Sequence, residues 1–166
     1  MRLPFLLIAA ALSLPLAARA GVPDAPVELR FADFFAQPIG PRGLEPTAAL
    51  KAAAGRQVRL VGYMVQREQP LAGQFLLTPR PVAMSEHADG DADDLPASAV
   101  TVLLPASQRE RLVAHQPGPL ALTGRLEYGP AEDETGRVSW LRLQLALDAL
   151  AAQASGAAAT SRSHSH

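Results

Sequence analysis

The chain has 166 residues, with 15 basic and 16 acidic side chains and a net charge of −1. It contains no cysteine, which excludes disulfides, thiolate metal centres and thiol catalysis. The near-neutral balance, about −3 once Arg2 and Arg19 leave with the leader described next, argues against a phosphate-backbone partner.

Arg2 is followed by an apolar stretch from Leu3 to Ala17 and by Ala18-Arg19-Ala20, small residues at the two positions a signal peptidase reads. Residues 1–20 therefore read as a secretory signal peptide, with cleavage expected after Ala20. The absence of Asn and the abundance of Ala, Arg, Gly and Pro suit a GC-rich bacterial genome, so the expected address is the periplasm. No later stretch approaches the roughly 20 apolar residues that span a bilayer, and no membrane insertion is expected after cleavage.

Residues 21–55 read as a Pro-rich lead, a Phe cluster and a short helix. Phe31, Phe34 and Phe35 stand near helical spacing and suggest an apolar flap packed on the core. A helix is expected from about Pro46 to Ala54, with proline at its first position and Gly55 just past its end.

From Arg56 the period becomes two. Val58, Leu60 and Met64 alternate with Gln57, Arg59, Val61 and Tyr63, and Gly62 interrupts the apolar face as a bulge or bend would. Phe75-Leu76-Leu77-Thr78 is a second strand, and Val100, Val102 and Leu104 form one face of a third. Ser107-Gln108-Arg109-Glu110 has the capping-box pattern, which predicts a helix running to about His115, with His115 against the negative end of its dipole. Leu120, Leu122, Leu126 and Tyr128 share one face of a fourth strand, broken by Gly124, and an acidic turn from Gly129 to Gly136 leads to a fifth strand over about 137–147.

That last strand carries Leu141, Leu143, Leu145 and Leu147 on one parity and Val138 and Trp140 on the other. Both sets cannot face one core in a regular strand. Either a bulge sits near Ser139, or Trp140 lies on the outer face.

Five strands with a helix between the third and fourth is the order of a five-stranded OB-fold-like Greek-key barrel. The predicted class is mainly β, with a domain over 56–148, a short N-terminal helix before it and a disordered tail over 149–166. An open α+β sheet of the same elements is the competing architecture.

Residues 57–147 resemble a poorly characterised group of small exported bacterial proteins, often encoded beside ABC-type transporters. The resemblance rests on Gly62-Tyr63-Met64-Val65, on Phe75-Leu76-Leu77-Thr78-Pro79, on Pro119-Leu120 and on Thr123-Gly124. One branch of that group has a Cys and a His after the proline of the second strand, then several prolines. Here Met84 stands near the place of the Cys, His87 lies one residue late, and the proline run is missing. The resemblance implies an accessory protein serving an envelope transporter and supplies no chemistry.

The densest polar constellation is Glu86, His87, Asp89, Asp91, Asp93 and Asp94. His87 with Asp89, Asp91 and Asp93 is a candidate divalent-metal set, and a solvated loop is the other reading. The pattern fails as an EF-hand: Asp94 occupies the place of the turning Gly, and Val100 that of the bidentate Glu. His164 and His166 at the chain end lack a framework for metal geometry. No G-x-S-x-G elbow or Gly-rich phosphate loop is present, and Glu132 and Glu134 stand in a turn where water keeps both ionised.

Tyr63, Trp140 and Arg142, residue types that dominate binding hot spots, are the candidate contacts for a protein partner on the barrel face; packing of Trp140 into the core is the alternative. The expected function is thus a non-enzymatic periplasmic binding or adaptor module without a cofactor, with a metal-binding protein built on His87 and the Asp-rich loop as the alternative and an unrecognised hydrolase as a third class.

Overall fold

The computed structural model describes residues 25–84, 86–87, 90–91, 95–133, 136–147 and 149–150. The expected leader over 1–20, the tail beyond 150 with His164 and His166, and Asp89 and Asp93 lie outside the described residues.

Strand β1 (Val27–Leu29) leads into a single 3-10 turn over Phe31–Asp33. The Phe cluster closes on the core as expected: Phe31 and Phe34 are buried, with ring centroids 5.3 Å apart. Helix α1 (Ala48–Ala53) follows. Its N-cap is Thr47, whose hydroxyl oxygen accepts the Leu50 N–H at 3.1 Å. Pro46 therefore precedes the cap and is not the first helical residue, because the cap position selects a side-chain oxygen. Leu50 and Ala53, three residues apart, bury one face of α1.

Strand β2 (Gln57–Met64) alternates as its sequence predicts, with Val58, Leu60, Gly62 and Met64 buried. Short β3 (Gln66–Arg67) pairs in parallel with β5 (Ala83–Met84), on either side of β4 (Gln74–Thr78). Strands β6 (Glu86–His87) and β7 (Gly90–Asp91) form a two-residue antiparallel ladder. Strands β8 (Val100–Leu103), β9 (Pro119–Glu132) and β10 (Val138–Leu145) complete the set.

Among the described residues the class is mainly β, a six-stranded mixed sheet with one short α-helix, α1. Strand β2 is antiparallel to β4 and β9, β4 to β8, and β10 to β9, while β8 and β10 run parallel. The five pairings β2–β4–β8–β10–β9–β2 form a ring of hydrogen bonds, and β1 lies parallel on the free half of β2. The core inside the ring comes from every second residue: Val58, Leu60, Leu77, Val100, Val102, Leu122, Leu126, Leu141 and Leu143 are all essentially inaccessible. Each buried Leu contributes about 1.5–3 kcal/mol relative to an exposed one. Thr78 is buried among them, its hydroxyl 2.8 Å from the Arg80 carbonyl and 3.3 Å from the Tyr63 carbonyl.

The helix expected between the third and fourth strands is absent. Only a 3-10 turn over Ala106–Gln108 forms, and the chain then runs extended as a strap to His115. Its backbone is satisfied across the molecule instead: Gly73 donates to the Arg111 carbonyl at 2.9 Å, Leu104 donates to the Gly73 carbonyl at 2.8 Å, and Leu112 bridges to Ala72. A helix over 107–115 would place Leu112 and Val113 side by side and offer no apolar stripe, whereas the strap buries Val113. His115 consequently meets no helix dipole.

The glycines that interrupt β2 and β9 mark close packing rather than a bulge. An added Cβ would stand 2.7 Å from the Phe31 ring at Gly62 and 2.6 Å from the Gln144 carbonyl at Gly124, and the β2–β9 register passes through both without a shift. The irregularity read in the fifth strand is resolved in both of its forms. Val138 and Trp140 face outward, 54% and 55% exposed. A bulge does lie beside Trp140, but its extra residue is in β9: Ser139 is opposite Ala131 and Leu141 is opposite Tyr128, so Gly129 and Pro130 face Trp140 alone. Strand β9 also continues to Glu132, beyond the expected end at Tyr128. Leu150, the last of the described residues, packs against the core two residues beyond the expected domain boundary.

Candidate functional site

The structure does not gather Tyr63, Trp140 and Arg142 into one surface. Strands β2 and β10 flank β9 on opposite sides. Tyr63 stands opposite Pro119 at one end of β9, and Trp140 opposite the Gly129–Pro130 step near the other. About ten residues of β9 separate them, roughly 30 Å of extended chain. Trp140 is on the outer face and not in the core.

Arg142 is held inside the molecule. Its Nη1 donates to the Gly129 and Ser139 carbonyls, both at 2.8 Å, and its Nε donates to Glu127 Oε2 at 3.2 Å. The guanidinium side chain is only 13% exposed. It braces the bulged end of the β9–β10 hairpin and closes carbonyls that a projecting strand edge would otherwise present.

Of the candidate metal set, His87 and Asp91 fall in the β6–β7 ladder, where His87 pairs with Gly90 and Asp91 with Glu86; Asp89 and Asp93 are outside the described residues. Among the described residues no group of three His, Cys, Asp or Glu side chains is placed to hold a metal ion.

A different site is present. A groove of about 340 Å³ lies on the outer face of β4 and β8. Its floor is built by outward positions: Gln74 and Leu76 on β4, Thr101 and Leu103 on β8. Gln74 is opposite Leu103 and Leu76 is opposite Thr101. The two leucines therefore lie on one diagonal and the two polar residues on the other, at the 7–8 Å spacing within reach of longer side chains.

Three walls rise around this floor. Residues 65–71, with Leu71 and Arg67, form the first; Val113 and His115 on the strap form the second; Ala131, Glu132, Asp133, Arg137 and Ser139 on the β9–β10 hairpin form the third. The strap's extended course thus does the positioning that the missing helix would have prevented: it brings Val113 and His115 to the groove.

Three ionisable side chains of the groove carry structural tasks. Asp133 Oδ1 accepts the Arg137 N–H at 3.0 Å and closes the hairpin turn, Arg67 Nε donates to the Gln69 carbonyl at 3.4 Å, and Arg142 is occupied as described. By contrast, among the described residues the side chains of Gln74, Thr101, His115 and, at the hairpin, Glu132 make no hydrogen bond to the protein. An apolar cleft with a few uncommitted polar groups, at the lower end of the 300–1,000 Å³ range, suits binding.

Sequence reasoning missed this groove, although one signal was present. Phe75-Leu76-Leu77 and Val102-Leu103-Leu104 are continuous apolar runs, and a strand wet on one face should alternate. Leu76 and Leu103 occupy the outward parity of both runs.

No family model matches the chain, and no curated protein does. Among solved structures it is similar to the crystal structure of a DUF3299 family protein from Pseudomonas aeruginosa PAO1, with 20% sequence identity over 72% of this chain and 92% of that chain and a TM-score of 0.44. Among the described residues no helix is long and apolar enough to cross a membrane.

Proposed function

We propose that the chain is a non-enzymatic binding or adaptor module of the bacterial periplasm, folded as an OB-fold-like Greek-key barrel, that holds a protein partner in the groove on β4 and β8. The ring order β2–β4–β8–β10–β9 supports the barrel reading, since an OB-fold is a five-stranded, partly open barrel. Ligands of that architecture lie on its second and third strands, between the loops joining strands one and two and strands four and five. The groove stands on the corresponding strands, walled by residues 65–71 and by the β9–β10 hairpin. The leader pattern of residues 1–20 supports export, and the resemblance of residues 57–147 to exported proteins encoded beside transporters suggests a transporter component as the partner.

The observation that carries the reading is the outward pair Leu76 and Leu103 beside uncommitted Gln74 and Thr101. A photo-crosslinker at Leu71, inside the groove, is expected to trap one envelope protein in cells, and one at Val61, exposed on β2, is expected not to. Leu76→Asp should abolish the trapped product. Equal trapping from both positions, or trapping that survives Leu76→Asp, overturns the proposal.

A further inference from the structure

We infer that the segment held in the groove is an extended, uncharged stretch of polypeptide with bulky aliphatic side chains at alternate positions. This rests on the binding-module reading above and names the chemistry of its ligand.

The floor decides the aliphatic part. Leu76 and Leu103 lie on one diagonal of the β4–β8 ladder, and Leu71 and Val113 face the same space from two walls. Branched aliphatic side chains entering there meet apolar surface on three sides. Among the described residues the groove holds no Tyr or Trp, and its one Phe, Phe75, is only 5% exposed; the single open ring is the His115 imidazole on one wall. Successive bases thus find no series of rings to stack on, and such platforms are what single-stranded nucleic acid needs.

The polar groups decide the polypeptide part. The Gln74 amide offers two donors and an acceptor, the Thr101 hydroxyl one donor and two lone pairs, and the His115 imidazole a donor or an acceptor at either nitrogen. Within the described protein none of these is spent. Gln74 and Thr101 occupy the diagonal that crosses the leucine diagonal. A ligand filling the apolar positions must therefore present neutral donors and acceptors between them. An extended peptide does so, because its amides alternate with its side chains at the strand repeat. An acyl chain does not, and it would bury those three groups unsatisfied, at about 1–3 kcal/mol each.

The charged lining decides the charge. Arg67, Arg137 and Arg142 line the groove together with Glu132 and Asp133. Both signs are interleaved, so a run of like charges, as in a nucleic acid backbone, meets repulsion somewhere along the groove.

The test uses the purified chain and four dye-labelled probes read by fluorescence anisotropy: the capped peptide Gly-Leu-Ser-Leu-Gly, its analogue with both leucines replaced by serine, dodecanoate, and a short oligo(dT). The leucine peptide is expected to bind, and the serine peptide and oligo(dT) to fail. Leu76→Ser or Leu103→Ser should weaken the leucine peptide about tenfold or more, the equivalent of losing one buried Leu contact. Gln74→Ala and Thr101→Val, which leave the core side of both strands untouched, should weaken it about two- to tenfold. Trp140→Ala should leave it unchanged. Dodecanoate binding that matches the peptide and ignores Gln74→Ala and Thr101→Val overturns the inference in favour of an acyl ligand. Oligo(dT) binding overturns it likewise, as does failure of the leucine peptide to bind. If the crosslinker at Leu71 still traps a partner while the leucine peptide does not bind, the ligand chemistry is wrong and the adaptor reading stands.

Discussion

The Arg142 guanidinium reaches the Gly129 carbonyl at 2.8 Å, across the step where β9 carries one residue more than β10. The same nitrogen holds the Ser139 carbonyl, so a single side chain on β10 fixes the bulge on β9 and the hairpin that walls the groove. Hydrogen bonds from a charged donor contribute about 1.5–3 kcal/mol each. Arg142→Met is expected to destabilise the chain by about 2–3 kcal/mol in urea unfolding. Arg142→Lys should recover less than half of that, because an ammonium cannot span both carbonyls and Glu127 with a planar fork. Full rescue by Lys would show that charge alone holds the hairpin.

Gly73 ties the strap to β4. Its φ of +69° lies in the left-handed region, and an added Cβ would stand 2.4 Å from the Arg109 carbonyl oxygen. Gly73→Ala therefore combines backbone strain with a contact that only movement of the strap relieves. A loss of about 1–3 kcal/mol is expected, with faster hydrogen exchange at the Leu104 amide, which bonds to the Gly73 carbonyl. Unchanged exchange there would separate the strap from the stability of β4.

Trp140 was a natural candidate for a binding anchor, yet it stands outside the groove and is 55% exposed. Trp140→Ala is expected to change stability by no more than about 0.5 kcal/mol, as for other exposed sites, and to leave crosslinking from Leu71 intact. Loss of the crosslink in this variant would move the partner surface from the groove to the β10 face.

The Arg30 guanidinium donates to both carboxylate oxygens of Asp33 at 3.0 Å, and these bonds hold the Asp33 carboxyl below its ordinary pKa. Burial opposes the shift to a smaller extent, and the Arg30 backbone N–H and charge add to it. A carboxylate depressed in the folded state stabilises the fold above its unfolded pKa, about 4, and that contribution is lost as pH falls through the lower folded value. Asp33 also meets Thr47, the cap of α1, through its carbonyl. Asp33→Asn should therefore lower the Tm at pH 7 and lose less Tm than the parent chain on acidification below pH 4. Parallel Tm curves for the two proteins would assign the acid sensitivity to other groups.

Alternation located β2, β8, β9 and β10. Val58 and Leu60, Leu120, Leu122 and Leu126, and Leu141, Leu143 and Leu145 all face the core as their parity requires, because the period of two is a local property of extended chain. The end of α1 was equally local, whereas its cap belonged to Thr47 and not to the neighbouring proline. The capping-box residues Ser107 and Glu110 misled for the same reason: a cap signal describes how a helix could start, and only an apolar stripe gives the helix somewhere to pack.

What the chain's order of residues determined by itself was the five strands of the ring, their inward faces, the short helix and the apolar Phe cap, since each depends on neighbours a few residues apart; β1, which pairs only with distant β2, was not among them. Tertiary structure decided the rest. The extra residue sits in β9 although its trace in the sequence is in β10, because a bulge belongs to a pair of strands. The strap stays extended because its hydrogen-bond partners, Ala72 and Gly73, are some 40 residues away along the chain. The groove exists because Leu76 and Leu103, each unremarked in its own strand, become diagonal neighbours when β4 pairs with β8. Such contacts are created by register between distant segments, and no local period encodes them.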